Sequence, residues 1–262
     1  MPQGRAIWSG AISFGLVNVP VKLHTATRSK DVRFNQLEAD TGARIRYRKV
    51  SEATGEEVAP ERIVKGYDLG GGRYVIVDEA ELAALAPKAS HTIEITEFVD
   101  VDDIDPIFYE SPYYLFPDKH GEKAYMLLVE TMSGLAKAAI GRIIVRSKEH
   151  LAAIRAVDGV LYLETMRFAD EVTNPAEVGD VPDGGIEVTE REVDMARRLV
   201  ESLTAKWDPD RYRDSYRDQL LDLIDAKASG EEIVTEASHE TSAKVTDLMA
   251  ALEASLAAAK GN

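Results

Sequence analysis

The octapeptide GARIRYRK, residues 42–49, holds the most suggestive spacing in the chain. On extended backbone, alternate side chains point to opposite faces. Arg44, Arg46 and Arg48 would then stand on one face roughly 6.6–6.8 Å apart, with Ile45 and Tyr47 on the other. Guanidiniums in a row repel one another unless an anion sits among them, and each is a fork matched to phosphate or carboxylate oxygens. Arg28, Lys30, Arg33 and Lys49 flank the row. The neighbouring acids, Asp31, Glu38 and Asp40, are too few to neutralise all seven cations. These cations are candidate contacts to a polyanion; the alternative is an ordinary solvated strand face.

Other chemistries find less support. Asp100, Asp102, Asp103 and Asp105 in VDVDDIDP are the acids a two-metal nuclease would use. They do not follow a calcium-loop pattern, because Ile104, Asp105 and Ser111 stand where the acid or amide, the Gly and the Glu belong. A solvated turn before Pro106 is the simpler reading. AISFG, residues 11–15, resembles a nucleophile elbow around Ser13, but LVNVPV follows it, which reads as strand and not helix. The Gly run 70–72 lacks the Lys and the following helix of a phosphate loop, and no two of the five His residues have zinc-protease spacing. No active site assembles, no cofactor pattern is present, and with no Cys the chain has no thiolate nucleophile and no Cys-based metal site.

Charge is distributed unevenly. The net value is −15, yet residues 1–50 hold nine Lys and Arg against three Asp and Glu, a net +6, which leaves −21 on the rest. A basic front on an acidic body binds a polyanion locally and repels it elsewhere. At 262 residues the chain is one generous domain or one domain with an appendage. Nothing resembles a signal peptide or a continuous apolar span, so a cytosolic, non-membrane protein is expected.

The elements that must position the cations are mostly strands. In AIWSGAISFGLVNVPVKL, apolar residues occupy even positions (Trp8, Ile12, Phe14, Leu16) and then odd ones (Val17, Val19, Val21, Leu23). Each half has the period of a half-buried strand, and the parity change near Gly15 requires a bulge or tight bend. ARIRYRKV (43–50), the two halves of KGYDLGGGRYVIV (65–77), HTIEITEFVD (91–100), IFYESPYYLF (107–116), GRIIVRS (141–147) and VLYLETM (160–166) also read as strands. Asp78 and Glu81 cap a short helix that Pro87 ends, and residues 122–140 read as a longer one. From Thr189, whose capping partner is Glu192, the chain turns helical; a second helix is expected from Asp208-Pro209 to Gly230. Tyr212, Tyr216, Leu220, Leu223 and Ile224 fall on one face of it. A linker and a terminal amphipathic helix with Val245, Leu248, Met249, Leu252 and Leu256 close the chain. That last helix is a candidate for docking into a partner's groove.

Taken together, AIWSGAISFGLVNVPVKL (6–23), RIRYRKV (44–50), IVKGYDL (63–69), EITEFV (94–99), IDPIFYESPYYLFPD (104–118), EKAYMLLVETM (122–132), LTAKWDPDRYRDSYRDQLLDLIDAK (203–227) and VTDLMAALEAS (245–255) resemble the bacterial Ku family of non-homologous end joining, over nearly the whole chain. The resemblance implies a mixed α/β, strand-rich fold: a β-barrel core with bridging strands, peripheral helices and a helical C-terminal region. Its expected divisions are 1–188 for barrel and bridge, 189–230 for a core-packing and ligase-recruiting helical pair, and 231–262 for linker and terminal helix. It further implies a cytoplasmic, nucleoid-associated homodimer that closes a ring on double-stranded DNA ends without reading sequence. Such a ring performs no chemistry, needs no cofactor and recruits an ATP-dependent DNA ligase D. Arg28, Lys30, Arg33, Arg44, Arg46, Arg48 and Lys49 would meet phosphates, and Tyr212, Tyr216, Leu220, Leu248 and Leu252 would dock the ligase.

Two departures from the family pattern matter. Ser51 and Thr54 stand where many relatives have a C-x-x-C pair, so no metal is expected there, and the chain ends at AAAKGN without a long Lys-rich extension. A metal-dependent nuclease and a β-barrel adaptor that binds only proteins remain as rival readings.

Overall fold

The computed structural model describes residues 5–85, 91–145, 148–180, 182, 185–230 and 248–259. The chain divides into two compact units, one of residues 1–30 and 35–174, the other of residues 31–34 and 175–262.

The first unit is built on a closed barrel of seven strands. Strands β1 (Trp8–Phe14) and β2 (Val17–Thr25) form a hairpin in which Phe14 pairs with Val17, leaving Gly15 and Leu16 as a two-residue turn. The parity change in the sequence is this turn. Gly15 has φ +59°, which a two-residue hairpin with Gly first demands. Gly10 serves a different need, since a Cβ there would lie 2.1 Å from the His91 carbonyl oxygen.

Between β2 and the next barrel strand the chain leaves the barrel. Strands β3 (Lys65–Asp68) and β4 (Tyr74–Val77) form a separate two-stranded sheet, and helix α1 (Glu79–Leu85) follows. Asp78 accepts from the Glu81 amide while Glu81 accepts from the Asp78 amide, the expected reciprocal cap. Pro87, expected to end α1, lies outside the described residues. The barrel resumes with β5 (Thr92–Asp100) and β6 (Tyr109–Pro117). Helix α2 (Glu122–Leu135) and β7 (Lys137–Val145), β8 (Lys148–Val157) and β9 (Val160–Met166) complete it. Neighbours around the barrel run β1-β2-β6-β9-β8-β7-β5, and the closing β1–β5 contact is parallel over three residue pairs.

The interior is apolar: Ile12, Val19, Leu23, Ile93, Leu115, Ile143 and Leu163 are fully buried. Helix α2 lays Tyr125, Leu128, Val129 and Met132 against it. It is shorter than the expected 122–140, because Ala136 adopts left-handed backbone at φ 51° and residues 137–140 join β7. AKAAI has helical composition, but Ala138 and Ala139 are fully buried in the sheet, and packing overrides propensity. The same cause hides β8 in sequence, where Ala152 and Ala153 are also fully buried.

The second unit is helical. It comprises α3 (Pro175–Val178), α4 (Glu190–Leu203), α5 (Ser215–Ser229) and α6 (Leu248–Ala259). The Thr189–Glu192 capping box forms, and Gly230 ends α5 at φ 79°. The stretch expected to be helical from Pro209 onward breaks. Asp208 caps only a single 3-10 turn, Pro209–Arg211, and α5 starts afresh behind Asp214. Val245 and the linker expected at 231–242 lie outside the described residues.

Candidate nucleic-acid interface

Residues 26–85 form an arm that leaves the barrel after β2 and returns before β5. Not one of them is buried. Phe34, Tyr47, Tyr67, Tyr74 and Ile76 are all more than 60% exposed. An isolated chain seldom leaves this much apolar surface in water, so the arm reads as a surface made for a partner.

Within the arm the Arg row is extended but does not build the expected regular strand. It is tied to its neighbours through isolated bridges between Leu37 and Arg44 and between Val50 and Glu57. Arg44 donates to the Asn35 Oδ1 at 2.8 Å, and Arg48 pairs with Glu57 at 3.0 Å. Glu57, and not Asp31, Glu38 or Asp40, supplies that carboxylate. The side chains of Arg28, Lys30, Arg33, Arg46 and Lys49 make no ion pair or hydrogen bond among the described residues. Arg33 belongs with the second unit and the other six cations with the first.

Four barrel cations are different. Lys22 is tied to Asp118 at 2.6 Å, Lys137 to Asp100 at 2.7 Å and Arg142 to Glu149 at 2.6 Å. Arg155 makes a two-pronged bond to the nearly buried Glu164 and lies 5.7 Å over the Tyr162 ring, and that carboxylate holds its guanidinium above its ordinary pKa. It sits in a cross-strand row with His24, Tyr114 and Tyr162, on the face opposite the core. Sequence reading missed this row, because its members lie on four strands and only the pairing register aligns them. Burial first, then the Glu164 charge, raises the Tyr109 hydroxyl beside it. A cation already satisfied by a carboxylate has little to offer an external phosphate, so the unpaired arm cations are the better polyanion surface.

Two acids of the rival metal reading have structural duties. Asp105 accepts from the Ile107 amide and Asp100 from Lys137, and among the described residues no three acids or histidines converge as a metal cluster. In the turn at 51–56 the Thr54 hydroxyl accepts from the Glu56 amide, and Gly55 donates to the Ser51 carbonyl. Hydroxyls without thiolate or imidazole do not fit a zinc site.

The predicted docking residues fall in the second unit. Tyr212 lies outside α5 and stacks on Trp207 at 5.2 Å, so it is not on a helix face with Tyr216, although both are exposed. Leu220 is half-buried on α5 and Leu252 half-buried on α6; Leu248 opens α6. Helix α6, the candidate for docking into a partner's groove, lies against this chain's own α4. It packs along α4, with Arg191 and Glu253 3.7 Å apart.

Comparison with known proteins decides the family. The Ku70/Ku80 beta-barrel domain matches residues 13–195. This chain belongs to the Ku family. It is 47% identical to the non-homologous end joining protein Ku of Anaeromyxobacter sp. (strain K), over 98% of this chain and 87% of the relative. Against the Ku of Desulfitobacterium hafniense the identity is 44%, over 97% of this chain and 87% of that protein. For the Ku of the archaeon Archaeoglobus fulgidus it is 42%, covering 98% of this chain and all of the relative. The Ku barrel expected from the sequence is thus the barrel observed, and no helix among the described residues is long and apolar enough to cross a membrane.

Proposed function

We propose that this Ku protein binds double-stranded DNA ends without sequence preference, as a homodimeric ring, in non-homologous end joining. The observation that carries the reading is the arm: some sixty residues without a buried side chain, bearing cations left unpaired. Two copies joined through their arms would bury the exposed aromatics and enclose a channel edged by Arg28, Lys30, Arg33, Arg44, Arg46, Arg48 and Lys49. Phosphate contacts fix position and carry no sequence information, which suits a reader of arbitrary ends. The protein supplies no chemistry; it holds the end and recruits an ATP-dependent DNA ligase D. Tyr212, Tyr216, Leu220, Leu248 and Leu252 are its proposed docking residues, and the exposed Tyr212 and Tyr216 lead that set.

A ring threads onto an end and a patch does not. Linear duplex should be retained and a covalently closed circle of the same sequence should not. Equal retention of both would reject the ring. In a joining assay, Tyr212→Ala with Tyr216→Ala should leave retention intact and remove stimulation of the ligase; undiminished stimulation would move the docking site elsewhere.

A further inference from the structure

We propose that the terminal helix is an autoinhibitory latch: α6 lies on this chain's own α4 with the stripe it offers the ligase, and recruitment must lift it off. The proposal rests on the reading above that Leu252 docks the ligase. Two stripes in the helical unit build the contact. On α6, Met249, Leu252 and Leu256 are half-buried, while Ala250, Glu253 and Ala254 are exposed. Spacings of three and four residues put the first set on one helix face. On α4, Glu192, Met195, Ala196 and Leu199 are half-buried in the same rhythm, with Arg191, Val193 and Arg198 exposed. Since α6 packs along α4, each stripe is the other's cover.

Nothing makes this contact tight. No residue of α4 is fully buried, and neither is any described side chain of α6. The Arg191–Glu253 pair, 3.7 Å apart, is exposed on both sides, and pairs of that kind add little. A helix of twelve residues is marginal alone in water, so α6 needs an apolar partner to stay helical. Helix α4 supplies one without a diffusional encounter, because residues 231–247 tether α6 to the same chain. A groove on the ligase would supply another. Leu252 therefore has two claimants, and it cannot fill a ligase groove while it lies on α4. The apparent affinity for the ligase falls in proportion to the fraction of α6 that is free.

Variants on the two sides of the contact separate a latch from plain packing. Leu199→Glu keeps a good helix former in α4 and releases α6 with its stripe intact. With about a tenth of α6 free in the parent, a usual population for a minor state, this variant should reach half-maximal ligase stimulation at roughly one tenth of the parent's concentration. Amide hydrogen exchange in α6 should quicken by the same factor. Leu252→Glu also releases α6 but spoils its stripe, and stimulation should be lost. The chain contains no Cys, so Arg191→Cys with Glu253→Cys provides two thiols that a bis-maleimide can bridge. The bridged protein should retain DNA ends like the parent and fail to stimulate, while the unbridged one stimulates.

Full stimulation by the bridged protein would overturn the latch. Loss of stimulation in Leu199→Glu would also overturn it, by making α4 and α6 one joint docking surface. A bridge between two copies, seen as a doubled mass under denaturing conditions, would overturn it by placing α6 on another copy's α4. Undiminished stimulation by Leu252→Glu is a different failure, that of the docking reading itself: the ligase would not take α6, and the latch would have nothing to hold back.

Discussion

Tyr125 holds α2 to the barrel by one oxygen. Its hydroxyl donates to the Leu115 carbonyl at 2.7 Å and accepts from the Leu161 amide at 2.8 Å, adjoining the last pair of the β6–β9 ladder. Burial raises its pKa, so the hydroxyl stays protonated and able to donate. Tyr125→Phe keeps the ring and removes both bonds, leaving a buried amide and a buried carbonyl without their partner. The expected cost is about 1–3 kcal/mol, read as a lower Tm of the barrel with DNA-end binding retained. Lys22 and Asp118 make a surface clasp with a different signature. The Lys22 bond, and then the Lys119 amide, hold the Asp118 carboxyl below its ordinary value of 3.8. A depressed carboxylate adds stability above its unfolded pKa and loses it as pH falls through the folded one. Asp118→Asn should therefore lower Tm at neutral pH, and the gap to the parent should close below pH 3.8. An equal gap at both pH values would mean that packing, not charge, is what the substitution disturbs.

At the level of elements, the arm and the barrel answer to different rules, and the sequence reveals them unequally. Period-two patterning is strong wherever one face is buried, which is why β1, β2, β5, β6 and β9 are legible in the sequence. Alanine-rich β7 and β8 are harder to read, since alanine has no pattern to show and only burial makes it a strand residue. The arm is the opposite case. RIRYRKV alternates cleanly, yet neither face is covered, so alternation there reports two exposed surfaces and yields only isolated bridges. Which cations remain unpaired was not legible at all, because Glu57 reaches Arg48 across a turn. Reversing Arg44, Arg46 and Arg48 to Glu tests the arm as a unit. Each lost phosphate contact should flatten the log–log salt dependence of DNA binding by about 0.9. The barrel, which shares no buried contact with these residues, should melt unchanged. Unaltered affinity and slope would remove the Arg row from the interface.

For the molecule as a whole, the contrast between an apolar barrel and an uncovered arm leads to one prediction: the barrel folds without the arm, and the proposed dimer forms through it. All the buried core residues lie outside residues 26–85, in the barrel strands and α2. Replacing residues 28–88 by a flexible Gly/Ser linker should therefore cost the barrel little. Long surface loops are cheap to change, with each doubling of length worth only about 0.6 kcal/mol. The excised protein should melt cooperatively near the parent, sediment as a monomer and fail to retain linear duplex. Each result addresses a different proposition. Loss of folding would mean that the arm carries stability no buried residue reveals. A persistent dimer would place the self-association surface on the barrel or the helical unit. Retention of DNA by a monomer would place the phosphate contacts off the arm, and the unpaired cations from Arg28 to Lys49 would then need another ligand.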